Sequence, residues 1–332
     1  MKRITFYLSL GMFFVFGGVL GFSLSHLLSK DSGLKFSEIR NHGNYKYTNP
    51  LLECDGGVWI SQDTNLNTLR NSINDYLGLS TANNDITFAS VYYRDLNTGP
   101  WFGINENEKF SPSSLIKVPV MMAYFKLAEA KPDVLNKTIT NTIAYDYSKN
   151  QNYVPDQSIA LNQSLTISEL IRRMIVYSDN LAYELLLGHI DNKIIFAVFS
   201  DLDLVIHKAN EIDPAGNTIS VKDYASFFRI LYNSSYLNAD YSEKALQLLT
   251  NTTFKKGLVA PIPGNIEVAH KFGERQYENN GEKQLHDCGI IYLPRRPYLV
   301  CIMTRGKDFE KLAGVIRRVS QIIYEEVSLK NQ

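Results

Sequence analysis

The chain has 332 residues, 45% of them hydrophobic, with 34 acidic side chains balanced by 34 basic ones and only three cysteines. That composition suits one sizeable globular domain, and a formal net charge of zero gives no basis for a nucleic-acid partner. The absence of G-x-S-x-G, H-E-x-x-H, C-x-x-C and Gly-rich phosphate-loop patterns excludes α/β-hydrolase, zinc-peptidase and nucleotide chemistry.

At the amino end, Lys2 and Arg3 precede a stretch from Ile4 to Leu28 without Asp, Glu, Lys or Arg, rich in Phe, Leu and Val. About 20 apolar residues cross a bilayer, whereas the apolar core of a signal peptide runs only about 7 to 15. Residues 1–29 are therefore expected to be an uncleaved single-pass anchor rather than a signal peptide. The flanking positive charges would leave the remaining chain outside the cytoplasmic membrane. Residues 30–58 are polar and lack a clear period, as in a linker. Cys54 lies far from the apolar run behind Glu53, which argues against a lipoprotein site. One folded domain is expected over residues 59–330.

Ser111-Pro112-Ser113 reads as a turn opening a buried helix, with Leu115, Ile116, Val118, Met121, Met122, Tyr124 and Phe125 as its apolar surface and Pro119 in its tolerant first turns. Ser114 and Lys117, at i and i+3, would share one face of that helix. An amine there can take the serine's proton, provided that burial or a second cation lowers a lysine pKa that is roughly 10.4 in solution. Lys271 is the candidate second cation. At a helix start, the N–H of Ser114 also has no intrahelical partner and is a candidate oxyanion donor.

Tyr145, Tyr147 and Tyr153 are candidates for a cleft rim or for ordinary packing. Thr166-Ile-Ser-Glu169 reads as a capping box opening an amphipathic helix, with Ile167, Leu170, Ile171, Met174 and Ile175 inward. That helix delivers Tyr177-Ser178-Asp179-Asn180 to its end, and Leu181, Tyr183, Leu185 and Leu186 begin another. Ser178-Asp179-Asn180 alone reads most simply as an N-cap between two helices. Near the carboxyl end, His270 would point away from Lys271 on a strand, into packing or solvent. Cys288 and Cys301 would lie on adjoining strands, as a pair or as buried thiols. Leu312, Val315, Ile316, Val319, Ile322 and Ile323 recur at helical spacing over Asp308 to Glu326.

In order and context, Ser114-x-x-Lys117, Ser178-Asp179-Asn180 and Lys271-Phe272-Gly273 resemble the class A β-lactamase and penicillin-binding protein superfamily, with its S-x-x-K, S-D-N and K-T-G signature. The resemblance runs from about Asp85 to Glu326. Ile86 to Leu96 and Trp101 to Glu106 look like the family's opening hairpin, turning at Asn97-Thr98-Gly99. Ile266 to Gly273, Gly289 to Leu293 and Tyr298 to Thr304 look like its closing strands. The implied fold is α+β: a five-stranded antiparallel sheet flanked by helices, with an all-helical insertion over about 111–255 and a cleft between the parts.

The resemblance implies Ser114 as nucleophile, Lys117 as its proton acceptor, Ser178 as proton relay and Lys271 as electrostatic support. It further implies that Asn180, Gly273 and Glu274 bind substrate, with the Ser114 and Glu274 N–H groups holding the oxyanion. No metal or organic cofactor is implied, and the partner would be a small-molecule β-lactam or a peptidoglycan stem peptide met by a monomer. Two departures stand out. Phe272 replaces the hydroxyl that binds a substrate carboxylate in the family, leaving Arg275, His286 or a shifted backbone as substitutes. Lys208 to Asn217 also lacks an E-x-x-L-N match to the loop whose glutamate activates the deacylating water, leaving Glu211 or Asp213 as substitutes. Three readings follow: a β-lactamase, a D,D-peptidase, or a non-catalytic muropeptide-binding descendant.

Overall fold

The computed structural model describes residues 45–49, 64–155, 157–202 and 218–329. Helix α1 (Thr64–Ala82) precedes a hairpin of β1 (Phe88–Asp95) and β2 (Trp101–Ile104). The hairpin turns where the Asp95 carboxylate accepts the N–H groups of Asn97 and Thr98, and Gly99 supplies a φ of 94° that L side chains resist. After the short strand β3 (Lys109–Phe110) comes a mainly helical region of α2 (Lys117–Ala130), α3 (Ile167–Val176), α4 (Asn180–Leu187), α5 (Asn192–Ser200), α6 (Val221–Tyr232) and α7 (Ala239–Thr250). The chain then returns through β7 (Val268–Gln276), β8 (Lys283–Ile291) and β9 (Tyr298–Gly306) to α8 (Phe309–Leu329).

The long strands form one antiparallel sheet in the order β2-β1-β9-β8-β7, which leaves β7 with an open edge. Alternation along each strand sends side chains to two separate cores. Val300 and Ile302 of β9 pack with α1 and α8 through Ile73, Leu312, Ile316 and Ile323. Cys301 and Met303, their neighbours, face the core built by Val118, Met122, Leu170, Phe227 and Phe228 of the helical region. The open edge of β7 thus stands where the sheet meets the helices.

Several expectations change. The insertion is not all helical, because β4 (Thr138–Thr140) pairs with β5 (Ser164–Thr166), and β3 pairs with β6 (Ile219–Ser220). The middle closing strand begins at Lys283 rather than Gly289. Its polar first half is buried with partners: Gln284 accepts the N–H of Ser111, His286 donates to the Ser111 carbonyl, and Asp287 meets His270. A hydrophobic pattern cannot reveal such a strand. Residues 45–49, within the expected linker, dock on the domain. The Glu243 carboxylate of α7 accepts the N–H groups of Lys46, Tyr47 and Thr48, and Tyr45 donates to Asp240. The expected anchor at 1–29, Cys54 and the segment from Lys208 to Asn217 lie outside the described residues. Among the described residues, no helix is long and apolar enough to cross a membrane.

Candidate active site

Ser114 lies in a 3-10 turn, Ser113–Ile116, that runs directly into α2, so Lys117 is the first residue of the helix. With about three residues per turn, positions i and i+3 eclipse, which places Ser114 and Lys117 on one side. The turn is held by the Leu115 N–H donating to Pro112 (2.9 Å) and the Tyr224 hydroxyl donating to the Leu115 carbonyl (3.1 Å). Ser113, with φ 49°, sets the entry to the turn. Ser114 itself is half-buried, and its hydroxyl has no hydrogen-bond partner among the described residues.

The second wall is the corner between α3 and α4. Thr166 caps α3 by accepting the Glu169 N–H at 3.1 Å, and Asp179 caps α4 by accepting the N–H groups of Leu181 and Ala182. The aspartate is the cap that the tripeptide alone suggests, and Ser178 and Asn180 on either side of it both reach Lys117 Nζ. Ser178 holds φ at 56°, a left-handed conformation that costs a serine about 1 kcal/mol or more and persists where surrounding structure enforces it. Nothing in the tripeptide announces that strain.

The third wall is β7. A Cβ added at Gly273 would lie 3.1 Å from Leu115 Cγ, Leu115 N and the Pro112 carbonyl oxygen, so only glycine lets the strand lie flush against the turn that carries Ser114. The Phe272 carbonyl accepts a bond from Lys271 and the His270 carbonyl accepts one from Thr252, so neither carbonyl is turned toward β8. On an antiparallel edge, N–H and C=O of every second residue face outward. The Glu274 N–H therefore lies along the open edge, on the side expected of an oxyanion donor.

The three walls meet at Ser178. Its hydroxyl oxygen receives Lys271 Nζ at 2.9 Å and Lys117 Nζ at 3.2 Å. Lys117 also donates to the Ser178 carbonyl at 2.7 Å and to Asn180 Oδ1 at 2.6 Å, while Lys271 donates to the Phe272 carbonyl at 3.0 Å. Both lysines are buried. Burial drives the Lys117 amine down to about 7, against the opposing pull of Asp179, Glu274 and Glu184. Burial, followed by repulsion from Lys117, holds Lys271 well below the usual lysine range. With both lone pairs of Ser178 Oγ occupied, its O–H proton is the part left to give, and Asn180 keeps its amide N–H₂ for a ligand.

The Phe272 ring packs against this cluster: Lys271 Nζ lies 4.4 Å from its centroid, while the ring stacks on Phe254 at 4.3 Å and meets the Tyr153 edge at 5.8 Å. His286 is no substitute carboxylate ligand: it is fully buried, bonded to Ser111, and pushed down to about 3, hence neutral. Arg275 donates to Ser111 Oγ at 3.0 Å and lies 4.6 Å over the Tyr277 ring. His270 is fully buried and bonded to Asp287 at 2.8 Å, so packing rather than solvation is its role. Tyr145 and Tyr147 line a cavity of about 430 Å³ beside Asp179 and Leu181, whereas Tyr153 packs against Phe254, Phe272 and Phe309.

Sequence reasoning missed the side chain of Glu274. Its Oε1 accepts the N–H groups of Asn152 and Tyr153, both at 2.9 Å, and its buried Oε2 has no hydrogen-bond partner. Burial raises its carboxyl pKa, opposed by those two N–H bonds and by both lysines. Gln151 in turn donates to the Ser178 carbonyl at 3.2 Å. A glutamate directly after K-x-G was the only local sign of this arrangement.

Among solved structures, the chain is similar to a class A β-lactamase from Mycobacterium abscessus, at 21% identity over 77% of this chain and 99% of that one, with a TM-score of 0.66. It is also similar to a β-lactamase from Sphaerobacter thermophilus, at 18% identity over 78% of this chain and 98% of that one, with a TM-score of 0.67. A third likeness is PBP-A, at 19% identity over 80% of this chain and 97% of that one, with a TM-score of 0.63. At these identities the likeness is one of fold. The sequence model of the β-lactamase enzyme family matches residues 68–327, and the chain belongs to that family.

Proposed function

We propose that the protein is a serine hydrolase that opens β-lactam rings through an acyl-enzyme on Ser114. The observation that carries this reading is the single hydroxyl of Ser178 held by two buried lysines at 2.9 and 3.2 Å. A binding module has no use for two buried amines on one hydroxyl, and desolvation of such groups is costly.

In this mechanism Lys117 acts in its neutral form, in which one of the three donations made by the ammonium is replaced by a lone pair, and takes the Ser114 proton as Ser114 Oγ bonds to the amide carbonyl carbon. The oxyanion rests on the N–H groups of Ser114 and Glu274; a donor of this kind is worth roughly 3 to 4 kcal/mol in the transition state. As the C–N bond breaks, Ser178 gives its proton to the leaving nitrogen and recovers one from Lys117 across their 3.2 Å contact. Lys271 stabilises negative charge developing on Ser178, and Asn180 donates to the acyl-amide carbonyl of the substrate.

The missing E-x-x-L-N match favours a second reading of the same acyl-enzyme, a penicillin-binding peptidase with slow turnover. One solved neighbour, a PBP-A variant at 20% identity, is an acyl-enzyme complex with penicillin G. The apolar stretch of residues 4–28 supports a membrane-anchored enzyme with its site outside the cytoplasmic membrane; fractionation of the full chain against one lacking residues 1–29 tests this.

Time-resolved intact mass with a penicillin tests the chemistry. An adduct on Ser114 that clears with steady product release is expected of the hydrolase, and a persistent adduct marks the peptidase. No adduct overturns both.

A further inference from the structure

Ser111, three residues before the nucleophile, is held on its N–H, its carbonyl and its hydroxyl at once. Gln284 accepts the N–H at 3.2 Å, His286 Nε2 donates to the carbonyl at 3.0 Å, and Arg275 donates to Oγ at 3.0 Å. The three partners share one face of the sheet, in neighbouring rows of the β7–β8 ladder where His286 stands opposite Gly273 and Gln284 opposite Arg275. Ser111, Gln284 and His286 are buried, so these bonds do not compete with water. Burial also brings the His286 imidazole down to about 3, which keeps it neutral, with its Nε2–H committed to the Ser111 carbonyl at any working pH.

Between Ser111 and Ser114 the backbone has little freedom of its own. The Pro112 ring fixes a φ of −63°, Ser113 holds φ at 49°, and the Leu115 N–H closes onto the Pro112 carbonyl at 2.9 Å. A serine stays in the left-handed region only where its surroundings enforce it. Ser113 does not supply that enforcement itself, because its Oγ is buried without a hydrogen-bond partner. It comes from either side: from Ser111, fastened to the sheet, and from Leu115, whose carbonyl accepts the Tyr224 hydroxyl. A shift of Ser111 would therefore carry the Ser114 hydroxyl with it.

We propose that Ser111 is a positioning residue for the acyl transfer: clamped to the sheet by Gln284, His286 and Arg275, it fixes where the Ser114 hydroxyl stands against β7. The inference rests on the acyl-enzyme reading of Ser114. The clamp acts through the backbone of the turn and takes no part in bond making or proton transfer.

The test follows adduct formation on Ser114 in the full chain by intact mass over a range of benzylpenicillin concentrations, which separates the acylation rate constant from the affinity of the preceding complex. Lost positioning lowers the rate constant, whereas lost fold lowers only the fraction of protein that labels. His286→Leu leaves the Ser111 carbonyl without its donor and should lower the rate constant about tenfold, with affinity and labelled fraction unchanged. His286→Gln, whose amide N–H₂ can donate in place of the imidazole, should stay within about threefold of the unaltered protein. Ser111→Ala keeps the backbone bonds and deletes only the oxygen held by Arg275; it should lower the rate constant about three- to tenfold, so the inference is decided even if His286→Leu fails to fold. Asn238→Ala, which removes the α7 cap instead, should cost stability without changing the rate constant. Unchanged rate constants in Ser111→Ala and His286→Leu overturn the inference and leave the acyl-enzyme reading standing. A rate for His286→Gln as low as that for His286→Leu also overturns it, since ring packing rather than the bond to Ser111 would then matter. No adduct in the unaltered protein removes both.

Discussion

Lys117 is the residue whose environment most directly sets the chemistry. A lysine brought down to about 7 by burial is roughly half neutral at physiological pH, and in the proposed mechanism only the neutral amine accepts the Ser114 proton. The sign follows: acylation should fall as pH drops through about 7 and level off above it, which a pH series of adduct-formation rates would reveal. A flat profile between pH 6 and 8 would remove Lys117 as the base. Replacing Ser114 by Ala should abolish covalent labelling while circular dichroism and thermal midpoint stay unchanged; labelling that persists places the nucleophile elsewhere. Lys117→Ala and Lys271→Ala should each slow acylation by about a hundredfold or more, since positioned proton transfer contributes about 10² to 10⁴. Stopped-flow acylation kinetics would show it.

Among the elements, the α3–α4 corner and the β7 edge carry the site. Asp179 serves α4 as a two-acceptor cap, so Asp179→Ala should lower stability by about 1 kcal/mol, read as a shift in the denaturant midpoint. At Gly273→Ala the new methyl would meet three atoms at 3.1 Å, and overpacking of that kind costs about 1 to 3 kcal/mol. Chemical denaturation measures that cost, and the same variant should acylate more slowly because β7 is pushed off the Ser114 turn. At this scale much was legible. The α3 start came from Thr166 and its five inward residues, all of which are buried with the cap in place. The β8 start was hidden, because Gln284, His286 and Asp287 are polar residues buried through partners up to 175 positions away.

For the molecule as a whole, the cleft exists only because distant segments converge: Lys117 and Ser178 are 61 positions apart, and Ser178 and Lys271 are 93. The sheet that carries β7 is joined at its centre by a disulfide between Cys288 and Cys301, directly opposed on β8 and β9. With a 13-residue separation, chain-entropy arguments assign such a link about 3 kcal/mol at most. Thermal unfolding with and without a reductant should therefore show a lower midpoint when the pair is reduced, and no shift would mean that the hairpin register alone suffices.

The order of the three motifs, the helices with clear caps and periodicity, the hairpin and the family are legible from the chain alone, because these signals rest on short-range spacing. The chain also made Lys271 the natural second cation for Lys117. Folding was needed to bring both amines to Ser178, to enclose a neutral His286, to stack the Phe272 ring on Phe254, and to tie the Asn152 and Tyr153 backbone to Glu274. Those outcomes depend on burial and on partners far away in the chain. Desolvation and hydrogen-bond partnership are properties of a folded surrounding, which no local pattern encodes.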